Sequence, residues 1–127
     1  MNINAKGLTD MVKMTTDMGK INVSADVFTN LAGAAATNCF GVRGMAMRSV
    51  SDGLVHLLKK EAMGKGVHVT FNEDDTIAIE LHIIVKNGVN IPVICRSIIK
   101  EVKYKVSVDT GVEVKSVDVF VDSIMPE

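Results

Sequence analysis

The feature that most restricts how this chain can fold is the alternating run TIAIELHIIV at residues 76–85. Successive side chains of a β-strand point to opposite faces, so a period of two predicts a strand with one buried face. That face is formed by Ile77, Ile79, Leu81, Ile83 and Val85. The turn sequence Lys86-Asn87-Gly88 follows, and Pro92 stands where the first turn of a helix tolerates a residue without an N–H. We therefore predict a central strand that passes directly into a helix.

The predicted helix has apolar residues at spacings of three and four, which is the period of one buried helical face. These residues are Ile91, Ile94, Ile98, Val102 and Val106. The pattern stops near Gly111, and glycine readily adopts the left-handed conformation that ends many helices. We predict that Gly111 has this conformation, because Val112 must turn directly into a strand.

The N-terminal part of the chain gives weaker signals. Residues 1–18 show no sustained hydrophobic period, which predicts a flexible arm, with a short helix at about residues 8–14 as an alternative. Residues 19–24 predict a brief strand. Ser24 can accept a hydrogen bond from a free backbone N–H at a helix start, so we predict a first helix from Ser24 to about Asn38.

Two glycines interrupt a loose alternation at residues 39–47, which predicts a bent or bulged strand. The segment Gly41-Val42-Arg43-Gly44 can be compared with phosphate-binding loops and with the GXXG clamp of nucleic-acid-binding domains. Both motifs need a helix immediately afterwards, and none is predicted there, so we interpret the segment as structural. Farther along, Ser51 predicts the cap of a short helix at residues 52–60.

A hairpin is predicted where residues 67–71 alternate before the acidic turn at residues 73–75. Matching the apolar faces pairs Phe71 with Ile77 and puts His68 opposite Glu80, with His82 nearby. Two imidazoles and a carboxylate could bind a metal ion. A solvated cross-strand pair explains the same residues, and no further protein ligand is evident, so we do not predict a metal site.

The last strand begins at Val112, and the parity of its valines changes around Ser116, which predicts a bulge there. Phe120 then lies on the face opposite the valines, together with Ala78 and Ile84 of the central strand. Apolar side chains on such a face often mark an interface, so we predict that Ala78, Ile84 and Phe120 contact a partner. Coverage of this face by the N-terminal arm is the alternative.

The order strand, helix, strand, short helix, hairpin, helix, strand predicts an α+β fold. We expect a two-layer sandwich in which a mixed sheet of four to five strands carries helices on one face. The predicted organisation is a flexible arm at residues 1–18, a single domain at 19–124 and a tail at 125–127.

Composition limits the possible functions. The formal net charge of −1 gives no general attraction to nucleic acid or to an anionic membrane. The longest uncharged run, residues 27–42, is too short and polar to span a bilayer, and we see no secretory leader. Cys39 and Cys95 have apolar neighbours and are expected to be reduced, which indicates a cytoplasmic location. No nucleophile, base and metal-ligand combination is present, so we predict no catalytic residues and no cofactor.

Several segments together resemble the alkaline shock protein family, also called the Gls-type envelope stress response proteins of Gram-positive bacteria. They are GKINVS at 19–24, AATNCFGVRGM at 35–45, KGV at 65–67, IIVKNGVNIP at 83–92 and VDVFV at 117–121. The Cys-Phe-Gly-Val run at residues 39–42 looks most like the small subgroup encoded beside a dihydroxyacetone-kinase-like, fatty-acid-kinase-related protein. The likeness covers residues 19–123 in the right order.

The resemblance implies a non-enzymatic cytoplasmic scaffold in cell-envelope stress homeostasis. Some members of the family self-associate and gather under the membrane through a membrane-anchored partner, so we expect a homo-oligomer and an unidentified protein partner without direct membrane insertion. The family offers no motif of catalytic residues to carry over. A small nucleic-acid-binding α+β domain is the alternative, and the near-neutral charge and single tyrosine argue against it.

Overall fold

The computed structural model describes residues 2–5, 11–49 and 51–126 and shows an α+β protein with a mixed five-stranded main sheet. The helices are α1 (Ala25–Thr37), a short 3₁₀ helix (Lys60–Gly66) and α2 (Ile91–Thr110). The strands are β1 (Asn2–Ala5), β2 (Met11–Thr16), β3 (Gly19–Ser24), β4 (Val42–Arg48), β5 (Val55–Leu57), β6 (Val67–Phe71), β7 (Thr76–Lys86) and β8 (Glu113–Met125). The predicted fold class is confirmed.

The main sheet is built around β7. Strand β8 pairs with β7 in parallel from Thr76 to Lys86 and occupies one edge of it. The other edge is shared, because β6 pairs antiparallel with residues 77–81 and β4 pairs antiparallel with residues 83–85. The buried Gly66 lies at the junction of β6 and β4, where an added Cβ would stand 2.9 Å from the carbonyl oxygen of Ala46. A side chain at this junction would separate the two strands.

The core lies between β7 and the two long helices. All five apolar residues of the alternating run are at most 1% exposed, and the predicted apolar face of α2 is buried with them from Ile94 to Val106. Helix α1 contributes Phe28 and a run of small residues, and the ring of Phe28 meets Phe71 edge to face with centroids 5.8 Å apart. The described part of the chain contains no helix with the length and apolar character needed to cross a membrane.

Local sequence signals fix the ends of both long helices. Ser24 caps α1 by accepting a hydrogen bond from the N–H of Asp26 at 3.3 Å, as predicted. The side chain of Asn90 caps α2 by accepting from the N–H of Val93 at 3.2 Å. Gly111 ends α2 with φ 75°, which confirms the predicted left-handed terminus.

The predicted flexible arm needs correction where the structure describes it. Residues 11–16 form β2, which pairs antiparallel with β3 and with β1, and Val12 and Met14 are buried in the core. The alternative helix is also wrong over Met11–Met14, and Leu8 lies outside the described residues. This strand is stabilised by pairing with β3 and by burial of its side chains in the core. Neither contact can be recognised from the hydrophobic period of the sequence. Outside this segment, the division into an arm, a single domain and a tail stays a prediction.

The short helix predicted at residues 52–60 is wrong. The side chain of Asp52 accepts a hydrogen bond from the N–H of Leu54 at 2.9 Å, and Gly53 has φ 69°, so the chain makes a tight turn. Residues 55–57 then pair with β4 as β5. Side-chain bonds of this kind compete with helix formation, and strand pairing supplies the remaining stabilisation.

The bulge predicted near Ser116 is confirmed by the register of β8. Ile77 pairs with Val114 and Ala78 with Ser116, which leaves Lys115 as the extra residue. A second irregularity, which the sequence did not predict, leaves Asp122 as an extra residue between the partners of Ile83 and Ile84.

Candidate functional site

The side of the main sheet opposite α1 and α2 carries a cluster of ionisable side chains. We call this side the open sheet face. It includes His68 of β6, Ala78, Glu80 and His82 of β7, and Phe120 of β8. The registers place His68 directly opposite Glu80, as predicted, and Phe120 beside His82.

His82 lies at the centre of the cluster and contacts two carboxylates. Its Nε2 is 2.9 Å from Oε2 of Glu80, and its Nδ1 is 3.0 Å from Oδ2 of Asp122. The ring of Phe120 stacks on the imidazole with centroids 5.0 Å apart and an interplanar angle of 13°. The ring of His68 meets the same imidazole edge to face at 5.6 Å. Three strands therefore fix the position of one histidine.

These contacts change the acidity of His82. Partial burial lowers the pKa of this imidazole, but hydrogen bonds and charge from Glu80 and Asp122 raise it, and the net result is a pKa above the ordinary value. The side chain of His82 is 25% exposed and that of Asp122 is 18% exposed, so solvent screens these interactions only in part. The cluster therefore favours a positive charge between the two carboxylates.

The second bulge of β8 explains the position of Asp122. Bulges redirect side chains, and the extra residue in the strand brings this carboxylate to the far side of His82. The parity of β8 places Asp122 on the same face as Phe120, but sequence reasoning missed its contact with His82 because the parity does not show which strand lies beside β8. Knowledge that β8 pairs in parallel with β7 would have been needed to find it.

Three side chains of the cluster could hold a metal ion. One donor atom from each of His68, Glu80 and His82 lies within 4.8 Å of the other two. A cleft of about 400 Å³ opens at this place, and Arg48 and Lys65 lie on its wall with His82. The set is two imidazoles and one carboxylate, which suits zinc and other first-row transition metals.

The predicted interface residues lie on the open sheet face but form no continuous apolar patch. Phe120 is 43% exposed and Ala78 is half-buried, whereas Ile84 is only 2% exposed and offers almost no surface. Glu80 and His82 separate Ala78 from Ile84 along β7. Phe120 is therefore the side chain of this set that can bury much apolar area against a partner, and the interface role of all three stays a prediction.

Other candidate groups lie elsewhere in the fold. Cys39 and Cys95 are free and partly buried, and desolvation raises the pKa of both thiols, so they are protonated at neutral pH.

The glycine-containing segment at residues 41–44 does not form a phosphate loop or a nucleic-acid clamp. Gly41 has φ 86° and Val42 begins β4, so a strand follows where either motif needs a helix. A second cleft, of about 540 Å³, lies between α1 and β4 and is lined by apolar and polar side chains in similar numbers.

Comparison with known proteins gives a consistent picture. The sequence profile of the alkaline shock protein 23 family, described as having a cell envelope-related function, matches residues 13–126. The uncharacterized protein YloU of Bacillus subtilis is 35% identical over 114 residues, which cover 89% of this chain and 94% of that protein. The uncharacterized protein Spy1614 of Streptococcus pyogenes is also 35% identical over 114 residues, covering 89% and 93%. No solved structure matches the chain.

Proposed function

This chain belongs to the alkaline shock protein 23 family, and on that premise we propose that it is a non-enzymatic interaction module in cell-envelope homeostasis. It works in the cytoplasm, associates with copies of itself and binds a protein partner that can be anchored in the membrane. The family description supports the link to the envelope. The scaffold role is our extension of it.

The exposure of Phe120 carries the proposal. An aromatic side chain that is 43% exposed on a sheet face opposite the helices contributes apolar area that a monomer leaves in water. Aromatic residues are common among the residues that dominate binding energy at protein interfaces. The polar neighbours Glu80 and Asp118 would form the rim around such a contact.

Substitution of Phe120 by Asp tests the proposal. We expect self-association to weaken by about 30-fold or more in sedimentation velocity, because an interface hot spot contributes on the order of 2 kcal/mol. Capture of partners from native lysate, followed by mass spectrometry, should fall in parallel. The melting temperature should change little, since much of the ring is already in water.

Phe40→Asp is the matched control. Phe40 is 84% exposed but lies in the connection between α1 and β4, outside the open sheet face, so the same change there should leave association and partner capture intact. Loss of both in Phe40→Asp alone would place the interface at that connection instead. Unchanged sedimentation and capture for Phe120→Asp would contradict the proposal. Unfolding of this variant would show that Phe120 serves the core instead.

A nucleic-acid-binding function is the competing possibility, and one observation favours it. Helix α2 exposes Arg96, Lys100 and Lys103, which form a positive surface. Electrostatic affinity for nucleic acid is greatest at low salt, so a gel shift under that condition is the most sensitive test. Binding there that disappears in Lys100→Glu would favour this function over a protein scaffold.

A further inference from the structure

We propose that His68, Glu80 and His82 form a binding site for a divalent transition-metal ion, with zinc as the best-suited ion, on the open sheet face. This inference goes beyond the interaction function and does not depend on it. The site would be of the two-histidine, one-carboxylate type, in which protein ligands occupy one side of the metal and leave other positions open.

The first support is the rigidity of the scaffold. Glu80 and His82 are two residues apart on β7, so their side chains leave the same face of the strand. His68 is the cross-strand partner of Glu80 in the hairpin formed by β6 and β7. The backbone of all three residues belongs to paired strands, and metal binding therefore requires side-chain rotation without refolding of a loop.

The second support is distance. Ligands bound at about 2.0–2.2 Å from one metal ion stand roughly 2.8–3.6 Å from each other, with the shorter separations in octahedral and the longer ones in tetrahedral geometry. Nε2 of His82 and Oε2 of Glu80 already meet this condition at 2.9 Å. The three donor atoms lie within 4.8 Å of one another, so a rotation of the exposed His68 side chain completes the set.

The third support is the position of Asp122. Metal-binding histidines commonly donate the N–H of their second ring nitrogen to a carboxylate, which fixes the tautomer and the direction of the lone pair. Asp122 accepts from Nδ1 of His82 at 3.0 Å, and this directs Nε2 toward Glu80 and His68. Phe120 stacks on the same imidazole and limits its rotation. Asp122 is thus a positioning residue and not a ligand.

The ligand atoms of the proposed site determine which metal ions it binds best. Imidazole nitrogen with carboxylate oxygen suits zinc, cobalt, nickel and iron better than calcium or magnesium, which prefer oxygen ligands. Cobalt is the useful probe because its absorption in the visible range changes with the number and geometry of its ligands. The positions left open would accept water or a side chain from a partner.

The test is titration of the metal-free full chain with zinc in competition with a chromophoric chelator, and with cobalt by absorption. We expect one ion per chain. His68→Ala and His82→Ala should each lower the affinity about 100-fold or more, and Asp122→Asn should lower it about 10- to 100-fold while the cobalt spectrum remains. Excess zinc should raise the melting temperature of the wild type but not of His82→Ala.

His56→Ala is the matched control, because His56 also lies beside a carboxylate, with Nε2 3.3 Å from Asp52, but belongs to β5. Its zinc affinity should equal that of the wild type. The proposal is overturned if the wild type binds no stoichiometric zinc at micromolar concentration, or if His56→Ala and His82→Ala lose affinity equally. Because the measurement uses isolated protein, its failure would leave the self-association proposal untouched.

Discussion

At the scale of single residues, the left-handed backbone of Gly111 ends α2 and can be tested by substitution. Its φ of 75° is in the left-handed region, and a Cβ built there meets no atom within 4 Å. A side chain at this position therefore lowers the stability of the fold only by straining the backbone, and not by clashing with other atoms. Gly111→Val should destabilise the fold by about 2 kcal/mol and lower the melting temperature by roughly 5–10 °C.

Gly111→Asn is the control for this prediction. Asparagine tolerates the left-handed region better than a β-branched residue, so this variant should melt closer to the wild type. Equal melting temperatures for the wild type and Gly111→Val would show that α2 does not need a left-handed residue at its end.

Single residues also show which features can be predicted from the sequence and which cannot. Gly111 and Ser24 were predicted because a helix end depends on a few neighbouring residues. Asp122 was missed because its contact with His82 joins residues 40 positions apart and depends on a bulge. The group of His68, Glu80 and His82 in the candidate cluster followed from matching two apolar faces. The rest required the parallel pairing of β8, which the sequence pattern does not specify.

At the scale of elements, β2 is the clearest difference from expectation, and it can be tested directly. Val12 is fully buried, whereas its neighbour Lys13 is exposed. Val12→Ala should destabilise the protein by about 2 kcal/mol, since it removes two buried methyl groups and leaves a cavity. Denaturant unfolding measures this loss. Lys13→Ala should change stability by less than about 0.5 kcal/mol, and equal effects of the two changes would support a flexible arm.

The junction of β4 and β6 on β7 gives a second test at this scale. A Cβ on Gly66 would lie 2.9 Å from the carbonyl oxygen of Ala46 and 3.3 Å from that of His82, and neither backbone atom can move freely. Gly66→Ala should therefore destabilise the fold by about 1–3 kcal/mol.

Gly64→Ala is a matched comparison within the same 3₁₀ helix. Its Cβ would stand 2.8 Å from Oδ1 of Asn30, an atom at the end of a side chain that can rotate. This variant should lose less stability than Gly66→Ala in the same thermal melt. The reverse order would show that the junction is not tightly packed.

The elements predicted correctly are specified by short stretches of sequence, whereas those predicted wrongly depend on contacts with distant strands. Helix α2 and the β6–β7 hairpin carry strong periods and local turn or cap residues, so short sequence windows specify them. Strand β2 and strand β5 depend on pairing with other strands, and β5 has only three residues. Tertiary contact overrides local propensity in such segments.

At the scale of the whole molecule, the two layers differ in charge. The helix layer exposes Arg96, Lys100 and Lys103 of α2, whereas the open sheet face carries Glu80 and Asp118 near Phe120. Directly around Phe120, these carboxylates oppose a contact in which two open sheet faces meet, whereas Arg48 and Lys65 lie farther away at the cleft beside His82. A contact between the open sheet face of one copy and the helix layer of another brings opposite charges together. If the chain self-associates as proposed, we expect this second arrangement.

This arrangement predicts that self-association weakens with salt. Screening shortens the range of charge interactions to about 10 Å at 0.1 M salt and about 3 Å at 1 M, so affinity measured by sedimentation should fall across that range. Lys100→Glu should weaken association about tenfold at low salt, and Asp118→Lys should do the same. Each single variant places like charges across the contact.

Mixing the two variants gives the decisive measurement. A Lys100→Glu chain and an Asp118→Lys chain can form two contacts between opposite charges, one with the charges exchanged and one as in the wild type. The mixture should therefore associate more strongly than either variant alone. Contact between two identical sheet faces predicts a different result, because Lys100 would then be absent from the interface and its substitution would have no effect. Association that strengthens with salt would likewise indicate that the acidic faces meet each other, with screening relieving their repulsion.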